Sequence, residues 1–286
     1  CNNNNVIITM AKYLIGDIHG CFDELQRLLD KIAFQPKKDK LYLCGDIVAR
    51  GDKSLEALRW AKTLADDGVL FTVLGNHDVT LIATWLGVLP PKPKDKTLSI
   101  LSAPDCDSLL TWLCHQPFLL PIDKKSVLVH AGIPPIWDTK EALSYADELH
   151  QAFKDKARLR QILPSFYSKA PKDWHTPSGR LGTICDYFTR MRLCSATGEL
   201  DFNFKGDALD NQAMPAGFKP WFDWQNPITD KRKERIYFGH WAALEGKIAN
   251  KKVRNLDGAC VWGGKLLAYC LDDDTLTASP SLASKK

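Results

Sequence analysis

The sequence predicts an α/β domain that turns α+β toward its end, and three observations carry that expectation. Three short apolar runs, Lys12–Ile15, Leu41–Cys44 and Val69–Leu74, read as buried strands. Each gives way at once to a glycine and a polar residue: Gly16-Asp17, Gly45-Asp46 and Gly75-Asn76. Those polar residues stand about 30 residues apart, the length of one βαβ unit. Parallel strands in such units place their carboxyl ends on one rim, where ligands bind. Three turns distant in sequence should therefore converge in space.

The connecting segments read as helices. Phe22, Leu25, Leu28, Leu29 and Ile32 recur at i, i+3, i+4 spacing, with Asp23 in the first turn. Ser54 reads as the N-cap of the next helix, with Leu55, Leu58 and Leu64 on its apolar face. Pro90–Asp95 is a Pro/Lys-rich loop and Asp107–Cys114 looks helical. Val127–Val129 is a further strand, ending in His130-Ala131-Gly132. From Asp138 to Asp230 helix and loop signals mix with basic and aromatic residues, and no strand series is clear. Strand signals resume at Arg235–Phe238, which ends in Gly239-His240-Trp241. They continue through Val253–Leu256, Ala259–Trp262 and Lys265–Leu271, an antiparallel-looking ending with glycine turns.

These elements suggest one domain over residues 10–275, with 138–230 as a covering or inserted region. Met10 reads as the native start, residues 1–9 as a remnant ahead of it, and 276–286 as a flexible tail. The 286 residues carry 38 basic against 34 acidic side chains, a net +4 too small to signal a nucleic-acid binder. No apolar run is long enough for a membrane span, and no secretory signal is present. Nine scattered cysteines without a CxxC pair read as reduced core residues, which places the chain in the cytoplasm. No obligate protein partner is indicated.

What sits at the strand ends carries chemistry. Asp17, His19, Asp46, Asn76, His130 and His240 offer oxygen and imidazole donors without thiolate, a set suited to Mn(II), Fe, Co or Zn. If Asp46 bridges, Asp17 and His19 complete one site, and Asn76, His130 and His240 the other; two such ions can activate a shared water. His77 is then free to donate a proton to a leaving oxygen. Arg50, four residues after Asp46, suits bidentate contact with phosphate oxygens. A lone Asp or His after a strand is usually a turn residue or cap. Here four of seven histidines fall in Gly-flanked turns directly after apolar strands, and that conjunction favours a site.

The blocks Gly16-Asp17-Ile18-His19-Gly20, Gly45-Asp46-Ile47-Val48-Ala49-Arg50-Gly51 and Gly75-Asn76-His77-Asp78 resemble the signature of the phosphoprotein-phosphatase-type metallophosphoesterases. His130 and His240 fall where that family has its last ligands. The resemblance implies a two-sheet β-sandwich flanked by helices, and a dinuclear centre, Mn(II) or Co(II), at those six residues. It also implies direct attack of metal-activated water on phosphorus without a phosphoenzyme. Two departures stand out: Ala49 replaces an Asp that orients the catalytic histidine, and Asp78 replaces the usual Glu.

The variant Gly-Asp-x-Val-Ala-Arg-Gly is instead similar to the bacterial symmetrical dinucleoside tetraphosphatases. So are the stretches 188–192, 219–222, 238–247 and 256–264. That likeness implies cleavage of diadenosine tetraphosphate at its middle to two ADP. Arg50, with Arg190 and Arg192, would neutralise the polyphosphate, and Trp137, Tyr187 and Trp241 would stack adenine. Rival readings are a protein serine/threonine phosphatase, against which Ala49 speaks, and a non-catalytic nucleotide- or RNA-binding protein. Dinucleoside-polyphosphate caps on RNA 5' ends would be cleaved by the same chemistry.

Overall fold

β1 (Lys12–Ile15), β2 (Lys40–Leu43) and β3 (Leu70–Thr72) pair in parallel, linked by α1 (Phe22–Lys31) and α2 (Ser54–Asp66). The computed structural model describes residues 10–168, 172–207 and 214–283; residues 1–9 and the last three lie outside that range. Leu25, Leu28 and Leu29 form the buried stripe of α1. Ser54 opens α2 as its first residue rather than capping it. Its Oγ accepts from Ala49 N at 3.0 Å, tying the loop after β2 to the helix, so the expected cap became a loop clamp.

β11 (Lys265–Cys270) joins the far side of β1 antiparallel, and β12 (Leu276–Pro280) pairs with β11. The expected tail from 276 is thus an edge strand for five residues, because Leu276–Pro280 find a full ladder on β11. The sheet order is β12-β11-β1-β2-β3.

A second sheet holds β4 (Leu119–Asp123), β5 (Ser126–Val129), β9 (Arg235–Phe238) and β10 (Val253–Asn255) in the order β10-β9-β5-β4. β5, β9 and β10 are mutually parallel, which corrects the antiparallel ending expected for Val253–Leu256. Ala259–Trp262 is no strand: Cys260–Trp262 form a 3-10 turn between left-handed Ala259 and Gly263. Between the sheets lies an apolar layer of Leu14, Tyr42, Cys44, Val73, Leu128, Tyr237, Leu256 and Tyr269. The architecture is therefore the expected sandwich, with each sheet contributing three parallel strands.

Helices cover the outer faces: α3 (Asn76–Trp85), α4 (Leu98–Leu101) and α5 (Cys106–Cys114). The 138–230 region supplies α6 (Thr139–Phe153), α7 (Lys156–Phe166) and α8 (Pro177–Arg190). It also holds a small antiparallel sheet of β6 (Leu193–Cys194), β7 (Leu200–Asp201) and β8 (Lys219–Pro220), too short to announce itself in sequence. Asp138 and Glu141 form a reciprocal capping box at the start of α6, with bonds of 2.8 and 2.9 Å. Residues from both ends and from this region share one continuous core.

Phe118, just before β4, is fully buried and meets Phe153 of α6 edge-to-face at 4.8 Å. Removing its ring opens a cavity at this joint, and such losses cost about 3–5 kcal/mol. Phe118→Ala is expected to lower the urea midpoint accordingly while Phe118→Leu loses far less. Equal midpoints for wild type and Phe118→Ala would show that the joint does not bear on stability.

Candidate active site

Six parallel strands end on one rim, and each is followed within a few residues by a polar side chain. Asp17 follows β1, Asp46 follows β2, and Asn76 follows β3. His130 follows β5, His240 follows β9, and Asp257 follows β10. The carboxyl ends of both sheets meet in one place, so the sandwich gathers what the sequence disperses. Ligand atoms of Asp17, Asp46 and His130 lie within 4.8 Å of one another, and so do those of His19, Asp46 and His77. Asp46 belongs to both groups and is the geometric centre of the site.

The distances explain its shape. Asp46 Oδ2 stands 3.6 Å from His19 Nε2 and 3.4 Å from His130 Nε2. Asp17 Oδ2 is 3.9 Å from His19 Nε2. His130 Nδ1 lies 2.7 Å from Cys44 O, and His19 Nδ1 lies 3.2 Å from Val48 O. Carbonyl partners place the proton on Nδ1 in both rings, which leaves each Nε2 lone pair turned toward the carboxylates. One end of the Asn76 amide lies 2.9 Å from His240 Nδ1, 3.1 Å from Thr189 O and 3.3 Å from His130 Nε2. So many acceptor atoms facing a common space form a donor set for cations. Oxygen and imidazole nitrogen suit a borderline or hard divalent ion.

Glycine lets the backbone come this close. A Cβ on Gly75 would stand 2.1 Å from Asp46 Oδ1, and one on Gly239 would stand 1.9 Å from Asp17 Oδ1. Through these openings His77 N donates to Asp46 Oδ1 at 2.8 Å, and His240 N donates to both Asp17 oxygens at 3.0–3.1 Å. His19, Asp46, Ala49, Arg50 and His240 all adopt positive φ without being glycine. Such strain persists only where surrounding contacts enforce it, and it clusters at working sites.

The electrostatics are those of a buried anionic pocket. Asp17 and Asp46 are held above the ordinary carboxylate range, chiefly by burial; Asp257 and Asp46 add to the effect on Asp17. Burial and the Asp46 charge push Asp78 to about 8, and burial pushes Asp257 to about 6. The same burial lowers His130 to about 3, and takes His77 and His240 well below the imidazole range. Carboxylates that resist ionising beside uncharged imidazoles are what positive charge would relieve.

Around this centre the other candidates divide. His77 is half-buried, and its ring packs edge-to-face on His19 at 5.0 Å. Arg50 meets Asp95 at 3.5 Å, and its Nε is buried without a hydrogen-bond partner. Arg192 is half-buried, lies 3.4 Å from His240 O, and is lowered by burial despite Asp257 and Asp17 nearby. Arg190 instead pairs with Asp186 at 3.0 Å and covers the Phe202 ring at 4.5 Å.

The three aromatic candidates are corrected outright. Trp137, Tyr187 and Trp241 are 4%, 5% and 1% exposed and cannot offer a face to a base. Trp137 packs on Tyr145 and Tyr187 at 4.4 and 4.9 Å. Tyr187 donates to Gly198 O at 2.6 Å, and Trp241 Nε1 donates to Gly206 O at 2.9 Å. Their neighbours come from distant segments, which local sequence cannot show.

At the strand ends the sequence reading gave Asp257 no place in the site and Asp78 no role in it. Asp257 follows β10 in the same Gly-flanked pattern, Leu256-Asp257-Gly258, and that repetition is the signal that finds it. Asp78 is buried; its carboxylate accepts from Asp46 N at 2.8 Å, Gly75 N at 3.0 Å and Ile47 N at 3.2 Å. It holds the Asp46 turn from behind, and no local motif reveals that reach.

Comparison with known proteins follows this geometry. Residues 11–210 match the calcineurin-like phosphoesterase family model. The chain is 43% identical over 267 residues to a symmetrical bis(5'-nucleosyl)-tetraphosphatase of Pseudomonas entomophila (strain L48), covering 92% of this chain and 91% of that one. It is 44% identical over 277 residues to the protein of that name from Escherichia coli O17:K52:H18 (strain UMN026 / ExPEC), covering 95% and 96%. A crystal structure provisionally assigned as a diadenosine tetraphosphatase superposes with TM-score 0.63 at 23% identity, over 98% of this chain and 96% of that one.

Proposed function

As the chain belongs to the calcineurin-like phosphoesterase family, we propose that it hydrolyses diadenosine tetraphosphate symmetrically into two ADP. The observation that carries this reading is the 44% identity to a symmetrical tetraphosphatase over nearly both full lengths. The chain is a hydrolase of the metal-dependent phosphoesterase class, and its substrate is a dinucleoside polyphosphate.

In this reading six side chains would hold two divalent ions, Mn(II) or Co(II). Asp17 and His19 would hold one, and Asn76, His130 and His240 the other, with Asp46 contributing to both. When bound, such ions supply Lewis acidity toward phosphoryl oxygens and acidify a water. Val48 O and Cys44 O keep the imidazoles of His19 and His130 turned inward. Arg50 and Arg192 offer guanidinium charge to the equatorial oxygens as charge builds in an in-line displacement. His77 hands a proton to the departing ADP oxygen. Burial, with His19 and then Arg50 beside it, holds His77 well below the ordinary imidazole range in the free protein, and the polyphosphate's own charge would raise its proton affinity on binding. Residues 10–275 would act as one catalytic unit, with 138–230 as its cover. No described helix is long and apolar enough to cross a membrane. We place the activity in the cytoplasm, where RNA 5' caps of the same polyphosphate chemistry would be a further substrate.

Product analysis tests the reading. Diadenosine tetraphosphate should yield ADP as the only nucleotide, and a phosphoserine peptide should be a poor substrate. AMP with ATP would defeat the symmetric cut. Preference for the peptide would return the protein phosphatase reading.

A further inference from the structure

With Trp137, Tyr187 and Trp241 in the core, the aromatic surface near the site lies elsewhere. Trp262 is 46% exposed, on the loop that joins β10 to β11. The loop is rigid. Trp262 N and Gly264 N donate to Ala259 O at 3.0 Å, Gly263 N to Cys260 O at 3.0 Å, and Lys265 N to Gly258 O at 2.9 Å. Cys260 is buried beneath it as an anchor. Left-handed Ala259 and Gly263 flank the turn that carries the ring. The backbone that presents the ring is therefore held in one conformation, which lowers the entropic cost of stacking on it.

Two features tie this ring to the phosphate chemistry. At its near end the same loop carries Asp257, whose charge acts on Asp17. The guanidinium carbon of Arg50 lies over the indole at 5.9 Å, and Arg50 also acts on Asp46 and His77. Arg50 thus stands between a candidate phosphate site and an exposed aromatic face. Beside it opens a cleft of about 430 Å³ bordered by Cys21, Phe22, Arg50, Lys53, Lys96 and Val261. Within the cleft wall Lys53 pairs with Asp23 at 2.8 Å and Lys96 with Asp52 at 2.6 Å, so the wall is polar and nearly charge-balanced. Such a wall suits the hydroxyls of a sugar better than a second cluster of phosphates.

We infer that Trp262 is the stacking platform for a nucleoside base of the substrate, with Arg50 gripping the adjoining phosphate and the cleft beside Arg50 receiving the sugar. This rests on the dinucleoside polyphosphate reading and adds to it a base subsite. Every base has a π face, so the platform recognises a nucleoside without reading which base it carries.

The test is calorimetric binding of ADP and of inorganic pyrophosphate to the metal-loaded wild type, Trp262→Ala and Trp262→Phe. ADP carries the base and pyrophosphate lacks it. Trp262→Ala should weaken ADP about tenfold, the scale of one lost base stack, and so collapse the preference for ADP over pyrophosphate. Trp262→Phe should keep most of that preference. An unchanged preference in Trp262→Ala overturns the assignment, as does an equal loss for both ligands, which would mean damage to the phosphate site. Failure of the parent reading looks different: AMP and ATP as products would defeat symmetric cleavage while the ADP–pyrophosphate comparison still reports on the platform.

Discussion

Asp46→Asn is expected to cost at least about 10³-fold in kcat/KM for diadenosine tetraphosphate, some 4 kcal/mol of transition-state stabilisation. Metal content should fall at the same time. The effect is large because one carboxylate faces both His19 and His130, and its other oxygen accepts from His77 N. An amide can keep one acceptor oxygen but turns an N–H₂ toward lone pairs that already crowd the site. The fold should survive, since the turn is held through the Asp46 and Ile47 backbone N–H groups by Asp78. Metal content by elemental analysis, with a thermal melt as the folding control, decides it. Full activity in Asp46→Asn would end the proposal of a shared ligand.

His77→Ala separates proton transfer from metal binding. Removing a positioned acid or base costs about 10²–10⁴-fold in rate. Here kcat should fall by that much while metal content stays near the wild-type level. The side chain sits beside the ligands, and its backbone N–H, which survives the substitution, makes the bond to Asp46. His77→Gln, similar in bulk, should be as slow as His77→Ala, because it fills the space against His19 but carries no titrating nitrogen. Parallel losses of metal and rate would make His77 a ligand or a structural prop, and the proton donor would have to be sought elsewhere. Ala49 makes the test informative, since that position offers no carboxylate to orient the histidine.

The convergence of Asp17, His19, Asp46, Asn76, His130 and His240 is legible in the residues themselves. The code for it is local: a short apolar strand, a turn with glycine, and a donor. Apolar runs of three residues stopped by such a turn, as at β1 and β5, are too short for a helix, and the rim follows from parallel pairing. Asp257 carries the same local code and is legible in principle. The clamp made by Asp78 is not, because its bonds reach across 31 and 32 residues as well as to its own turn.

By itself, then, the strand-and-turn pattern determined the parallel α/β units and the polar residues on their rim, because strand, turn and ligand lie within a few positions of one another, while the two-sheet sandwich was implied only by the family likeness. Tertiary structure alone decided the rest. An apolar run does not encode its partner's direction, so β10 joined β9 in parallel and Leu276–Pro280 became an edge strand. Nor does an aromatic residue encode its own exposure. Trp137, Tyr187 and Trp241 are covered by residues far away in the chain, while Trp262 is left open by a tight turn. Burial is set by which distant segments pack together, and that is information no short motif contains.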